Sequence, residues 1–281
     1  MEKNKGIVVL AQNLSNVNYV EQACALAMSI KVTNPSVNVS IITNDTVPEE
    51  YNFLFDQIIP IPFNDDAVLS DWKIENRWKI YHASPYEQTI VMDSDMIVLQ
   101  DISAWWDYFE NYDLYFTTYV VTYRNEKIEN DYYRKLFTAN YLPSIYTGLH
   151  YFKKNEFAYR FYKWLEIITQ NWEFFYGNFI KEYYPSRPSM DVTAAIAIKI
   201  LDCETVVTNK TSKLPYFVHM KPKIQNWTQN VDRWQDYVGV YINKNCEIKI
   251  GNHSQNGILH YTEKDFIKSS IIERYRNYLH V

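Results

Sequence analysis

The stretch from Thr89 to Leu99 constrains this chain more than any other. It places two carboxylates, Asp93 and Asp95, two residues apart, with the apolar runs Ile90 to Met92 and Met96 to Leu99 on either side. Ile90 to Met92 reads as the end of a buried strand. An unpaired buried carboxylate is costly, so two at the mouth of such a strand point to a bound cation. A hard divalent ion takes oxygen ligands and shares its other positions with substrate phosphates. A turn and a helix cap would use the same residues, because Asp is common at strand exits.

The surrounding pattern bears on that choice. Ile7 to Leu10 reads as a first buried strand, followed by a polar loop over 11–18. Val20, Ala23, Ala27 and Ile30 recur at helical spacing, which predicts a helix from Tyr19 to Val32 closed by Asn34 and Pro35. Val37 to Thr43 and Ile58 to Ile61 read as strands, and Trp72 to Ala83 as a helix. Short apolar strands alternating with helices predict an α/β chain with a mostly parallel sheet. Ligands bind such sheets at the carboxyl ends of the strands. Asp93 and Asp95 lie at such an end, as do Gln12 and Asn13, which favours the cation.

The second half is less regular. Tyr146 to Phe152 reads as a strand, Phe157 to Thr169 as an amphipathic helix, and Asp191 to Leu201 as a helix of small apolar residues. Short strands are expected at Tyr216 to His219, Val238 to Ile242, Glu247 to Ile250 and Ile258 to Tyr261. With no repeat or linker in 281 residues, one continuous domain with a C-terminal elaboration is expected. It divides into a first half over 1–102 and a second over 103–281.

Composition narrows the function. Aromatics make up 17% of the chain, including 25 Tyr and 8 Trp, which suits stacking on bases or sugars. The net charge of −5 gives no overall attraction to polyanions. The three cysteines, Cys24, Cys203 and Cys246, have no zinc spacing and fit a reducing compartment. No apolar run approaches the roughly 20 residues that span a bilayer, and the N-terminal run is too short for a signal peptide. A soluble cytoplasmic protein is expected. With only six Gly and no Gly-rich phosphate loop after the first strand, a nucleotidyltransferase is disfavoured.

The run Arg77-Trp78-Lys79, the strand Ile90 to Met92, Asp93-Ser94-Asp95, Met96 to Leu99 and Gln100-Asp101-Ile102 together resemble GT-A glycosyltransferases. The resemblance is greatest to glycosyltransferase family 8, which contains glycogenin. It implies a GT-A (Rossmann-like) fold, with a donor-nucleotide half over 1–102 and an acceptor half with a C-terminal metal-ligand segment over 103–281, and a sugar transferred from a UDP-sugar to a hydroxyl with retention. Asp93 and Asp95 would hold Mn2+ or Mg2+, with Ser94 beside the donor. Arg77 stands where glycogenin-like members place a donor-binding Lys, with Lys79 as the fallback. Ala11 and Asn13 would line the nucleoside and Tyr19 the base, although extra residues separate Asn13 from Tyr19.

Thr147-Gly148-Leu149 resembles the family's acceptor-side strand. Asp191 resembles the acid of its Asp-Gln pair near the reacting carbon, but Val192 replaces the Gln. Gly257 to Lys264 resembles the late segment in which a His completes the metal site and a Lys meets the diphosphate, here His260 and Lys264. His219 and His253 compete for the ligand role. An imidazole beside two carboxylates favours Mn2+.

Residues 205–231 hold Lys210, Lys213, Lys221 and Lys223 with Tyr216, Phe217, His219 and Trp227, and no acid. Basic residues interleaved with aromatics suit a nucleic-acid backbone and an unstacked base; a solvated loop would read the same way. His219 to Trp227, Glu247 to Gly251 and Ile258 to Tyr261 resemble glycosyltransferases of T-even-like bacteriophages, some of which glycosylate 5-hydroxymethylcytosine in DNA with glucose or arabinose. That likeness implies a double-stranded DNA acceptor held by Lys221, Lys223 and Trp227, with the base turned out of the duplex, in a phage-infected host's cytoplasm. A cell-surface or lipid-linked glycan is the other acceptor class. A binding module without catalysis is disfavoured by the Asp93, Asp95 and His260 set.

Overall fold

A computed structural model describes residues 4–70, 73–128, 134–221 and 231–281. Lys223 and Trp227 lie outside the described residues, as does the start of the expected helix at Trp72.

The first half runs β1 (Lys5–Leu10), α1 (Tyr19–Thr33), β2 (Val39–Ile42), β3 (Gln57–Ile59), α2 (Ile80–Ala83), β4 (Gln88–Met92) and β5 (Met96–Val98). Then come α3 (Ser103–Phe109), β6 (Leu114–Thr117), β7 (Val120–Val121), α4 (Lys135–Ala139), β8 (Tyr146–Lys153), α5 (Glu156–Gln170), α6 (Trp172–Phe179), α7 (Met190–Leu201) and α8 (Glu204–Val207). The last part holds β9 (Phe217–His219), β10 (Val240–Ile242), β11 (Ile248–Ile250), β12 (His253–Ser254), β13 (Ile258–His260) and α9 (Ser269–Leu279).

The central sheet has the order β3-β2-β1-β4-β8-β6. β3, β2, β1 and β4 are mutually parallel, and β8 alone runs against its neighbours β4 and β6. β1 shows why. Ile7 and Val9 enter one apolar core with α1, while Val8 and Leu10 enter a second core with α5 and α7. A strand buried on both faces reads as a continuous apolar run. α1 buries a continuous run from Gln22 to Ile30, and the Asn18 side chain caps it by accepting from the Glu21 N–H.

The expected helix over 72–83 is shorter than its pattern suggests. A single 3-10 turn, Arg77–Lys79, leads into α2. Lys73 sits in left-handed backbone and Pro85 follows the end, so only a short helical piece fits between them. The C-terminal elaboration returns to the site. β13 pairs antiparallel with β5 and parallel with β9, completing a second sheet β5-β13-β9-β7 directly after the Asp-Ser-Asp turn. Ile271 and Tyr275 of α9 join the same core as α1. Among the described residues no helix is long and apolar enough to cross a membrane.

Candidate active site

β4 delivers Asp93 to the carboxyl edge of the sheet. The Asp93 N–H donates to the Gly148 carbonyl at 2.8 Å. A Cβ on Gly148 would stand 2.8 Å from Asp93 Oδ2 and 3.0 Å from Met96 Cε, so a larger residue here would displace the Asp93 carboxylate. Two residues on, the Asp95 carbonyl accepts from the Tyr261 N–H at 3.2 Å, which ties the turn to the end of β13. Gly257 opens that strand with φ +72, and a Cβ there would meet the Tyr216 carbonyl at 2.5 Å.

These contacts bring Asp93, Asp95 and His260 together, with their candidate ligand atoms all within 4.8 Å of one another. His260 Nε2 lies 3.2 Å from Asp95 Oδ1, and Lys264 Nζ lies 2.5 Å from Asp95 Oδ2. Arg77 forms an ion pair with Asp93. Burial works to raise the Asp95 pKa, but His260 and Lys264 outweigh it and hold the carboxyl well below its usual range. Burial works to lower the Lys264 pKa, but Asp95 and then Tyr19 outweigh it; the ammonium also lies 5.0 Å from the Tyr19 ring centroid.

His219 and His260 are register partners on β9 and β13. His219 is buried, and desolvation, followed by the neighbouring His260, Lys221 and Arg134, pushes its pKa well down. Of the three candidate histidines, His260 is the one in the carboxylate cluster; His253 is exposed on β12.

A second group faces the first. Ser189 caps α7 by accepting from the Val192 N–H, which sets Asp191 in the first turn. Asp191 Oδ1 accepts from the Thr147 N–H at 2.8 Å and the Thr147 hydroxyl at 2.7 Å. Its Oδ2 lies 3.6 Å from the Arg134 guanidinium, which is buried over the Tyr146 ring at 3.2 Å from the centroid. Below Thr147, His150 is buried. Its Nδ1 bonds the Thr147 carbonyl at 2.8 Å and its Nε2 the Tyr162 hydroxyl at 2.7 Å. A carbonyl only accepts, so Nδ1 carries the proton and Nε2 accepts from Tyr162. Burial pushes the His150 pKa down to about 4.

Both groups line one cavity of about 430 Å³. Of the residues singled out in the sequence, Gln12, Tyr19, Arg77, Asp93, Ser94, Asp95, Thr147, Gly148, Asp191, Phe217, His219, Lys221, His260 and Lys264 line it. Ala11 and Asn13 are not among the lining residues. Ala11 is buried, and Asn13 accepts from the Val20 N–H at 3.0 Å, at the start of α1. Gln12 between them lines the cavity instead, its amide held by Asp65 at 3.1 Å and Asn76 at 3.0 Å. Lys79 is buried against Asp66 at 2.8 Å and does not line the cavity. Gln12 was marked by its place at the end of β1 but given no role, whereas no motif marks Arg134 and Arg187.

Of the stretch 205–231 the described residues are 205–221 and 231; among these Phe217 and His219 are buried in β9 yet line the cavity, and Lys210 pairs with Glu204 at 2.7 Å. Lys221 is its described lysine at the cavity.

No protein-family model matches this chain, and no curated protein matches it. Solved structures do. The galactosyltransferase LgtC, in complex with donor and acceptor sugar analogs, matches 97% of this chain and 94% of its own, at 12% identity and TM-score 0.51. The bifunctional glycosyltransferase WbbM matches 99% of this chain at 12% identity and TM-score 0.50, and the chain spans 50% of its length. The chain spans 45% of the length of the apo glycosyltransferase GlyE of Streptococcus pneumoniae TIGR4, at 16% identity and TM-score 0.41. The likeness to LgtC and WbbM is one of architecture: a mostly parallel sheet flanked by helices, in the GT-A arrangement of these glycosyltransferases.

Proposed function

We propose that the chain is a metal-dependent glycosyltransferase that moves a sugar from a UDP-sugar to an acceptor hydroxyl. The observation that carries this reading is the Asp93, Asp95 and His260 cluster at the carboxyl edge of a GT-A sheet, flanked by two cations in one cavity. Two carboxylates and one imidazole, with ligand atoms within 4.8 Å, fit a divalent ion of the Mn2+ type better than Mg2+. Such an ion, when bound, neutralises charge on the leaving diphosphate.

The protein groups have separable tasks. Lys264 and Arg77 stand beside the carboxylates, placed to meet the diphosphate oxygens and stabilise the charge that grows there. Tyr19 and Gln12 line the donor side. Asp191 faces them with its carboxylate fixed by Thr147 and Arg134, so it serves to stabilise positive charge at the anomeric carbon. The acceptor oxygen attacks that carbon as the bond to the diphosphate breaks, and the hydroxyl proton passes to the departing diphosphate oxygen. Retention and the uridine base are carried from the family resemblance. Three buried free thiols support a reducing compartment, proposed as the cytoplasm, of a host cell if the chain is phage-encoded.

The test is a panel of sugar nucleotides incubated with Mn2+ or Mg2+, with release of nucleoside diphosphate as the readout. Metal-dependent release from one UDP-sugar, lost in Asp95→Asn, is expected. No release from any of them, or release of pyrophosphate, overturns the reading. Labelled transfer to 5-hydroxymethylcytosine DNA or to saccharides then separates the acceptors.

A further inference from the structure

β13 ends at His260, and four residues later Lys264 returns to the same carboxylate. His260 Nε2 lies 3.2 Å from Asp95 Oδ1, and Lys264 Nζ lies 2.5 Å from Asp95 Oδ2. In an extended chain, residues four apart stand about 13 Å apart. The backbone folds back between these two, and it does so at Thr262. The Glu263 N–H donates to the Tyr261 carbonyl at 2.8 Å, across a single residue with φ 61. A bond of that span around a positive φ makes a γ-turn of the rare, strained kind. A β-branched residue is poorly suited to its centre.

Glycine would hold that backbone without strain. Threonine adds a hydroxyl, which donates to the Met220 carbonyl at 3.0 Å. The Met220 N–H in turn donates to the His260 carbonyl at 2.9 Å. The turn is thereby fastened to the end of β9, where Lys221 follows. Trp234 clamps it as well. The buried indole N–H donates to the Tyr261 carbonyl at 3.0 Å, and the Trp234 backbone N–H donates to Glu263 Oε1 at 3.0 Å. Thr262, Lys221 and Lys264 all line the cavity.

We propose that Thr262 is a positioning residue: its turn sets the Lys264 ammonium against the donor's diphosphate, and its hydroxyl fixes that turn to the segment carrying Lys221. The proposal rests on the transferase reading. Strain persists only where surrounding bonds over-determine it, and at a ligand clamp it pre-organises a group before the ligand arrives. A cation already in place has less freedom to lose on binding than a lysine on a mobile loop.

Isothermal titration calorimetry of the full chain tests this, with Mn2+ alone and then with UDP in the presence of Mn2+. Wild type is compared with Thr262→Gly, Thr262→Ser, Lys264→Met and the double variant Thr262→Gly/Lys264→Met. Thr262→Gly is expected to melt near the wild-type temperature, because relief of the positive φ offsets the lost hydrogen bond. It should bind Mn2+ as wild type does, because Asp93, Asp95 and His260 remain, yet bind UDP about tenfold more weakly. Thr262→Ser keeps the hydroxyl and should restore UDP binding. The double variant should bind UDP no more weakly than Lys264→Met, because Thr262 acts through Lys264. Four results each overturn the role of Thr262: wild-type UDP affinity in Thr262→Gly, equal losses of Mn2+ and UDP affinity, no rescue by Thr262→Ser, or additive losses in the double variant. Wild type that takes up Mn2+ but no UDP overturns the transferase reading itself, and this role with it.

Discussion

The imidazole of His219 lies parallel to that of His260, with ring centroids 4.7 Å apart and planes 10° apart. The inner ring is buried and held neutral, and the outer ring faces the carboxylates. Only the outer one is a candidate ligand. Mn2+ with UDP is expected to stabilise wild type by about 2.7 kcal/mol at a roughly hundredfold excess over Kd, read as a higher melting temperature. That gain should vanish in His260→Ala and persist in His219→Phe, which keeps the stack. A calorimetric scan of each variant decides it; loss of the gain in His219→Phe alone would give the ligand role to His219.

Gly148→Ala places a methyl group 2.8 Å from Asp93 Oδ2. Asp93 must move, and its pairing with Arg77 moves with it. Expected are a loss of about 1–3 kcal/mol in stability and a fall of about 100-fold in metal-dependent donor cleavage. Unchanged cleavage would remove Asp93 from the reaction.

Arg134 fixes Asp191 while sitting flat on Tyr146. Arg134→Met leaves a mostly buried carboxylate without its cation, at a cost of about 3 kcal/mol. The turnover number should fall further than the KM for donor rises. Arg134→Lys should rescue little, because an ammonium cannot reproduce the planar stack. Full recovery with Lys would show that charge alone matters.

His150 makes stability sensitive to acid. Its folded pKa of about 4 lies below the ordinary value of 6.5, so between those pH values the unfolded chain binds a proton that the folded chain does not. Stability from this group is full above 6.5 and is lost as pH falls toward 4, by about 3 kcal/mol in all. Glu263, raised to about 7 by burial, works in the opposite sense over much of this window. The comparison that isolates His150 is denaturant unfolding of wild type and His150→Gln at several pH values. The wild type should lose its advantage on acidification; parallel curves would show that His150 titrates normally.

Local pattern explains what was legible beforehand. β1, α1, β4, α5 and α7 follow from apolar spacing and caps, and the Asp-Ser-Asp turn announces itself between two apolar runs. His260 and Lys264 were reached through motif order, although 169 residues separate Lys264 from Asp95. What stayed hidden depends on pairings with no local trace. Arg134 reads as one more surface charge until Tyr146 and Asp191 close over it. Phe217 and His219 read as part of a basic, aromatic stretch, and they reach the cavity from a buried strand, β9. α9 carries charges on much of its surface, and its two buried residues, Ile271 and Tyr275, are too few to stand out.

The position of β13 has a consequence during synthesis. β5 follows the two carboxylates at once, but its sheet partner is made about 160 residues later. Until Ile258 to His260 emerge from the ribosome, Met96 to Val98 present an apolar strand edge with nothing to pair it. Such an edge invites association with other chains. The step that adds His260 to the carboxylates is the same step that covers this edge, so a nascent chain gains its chemistry and loses its stickiness together.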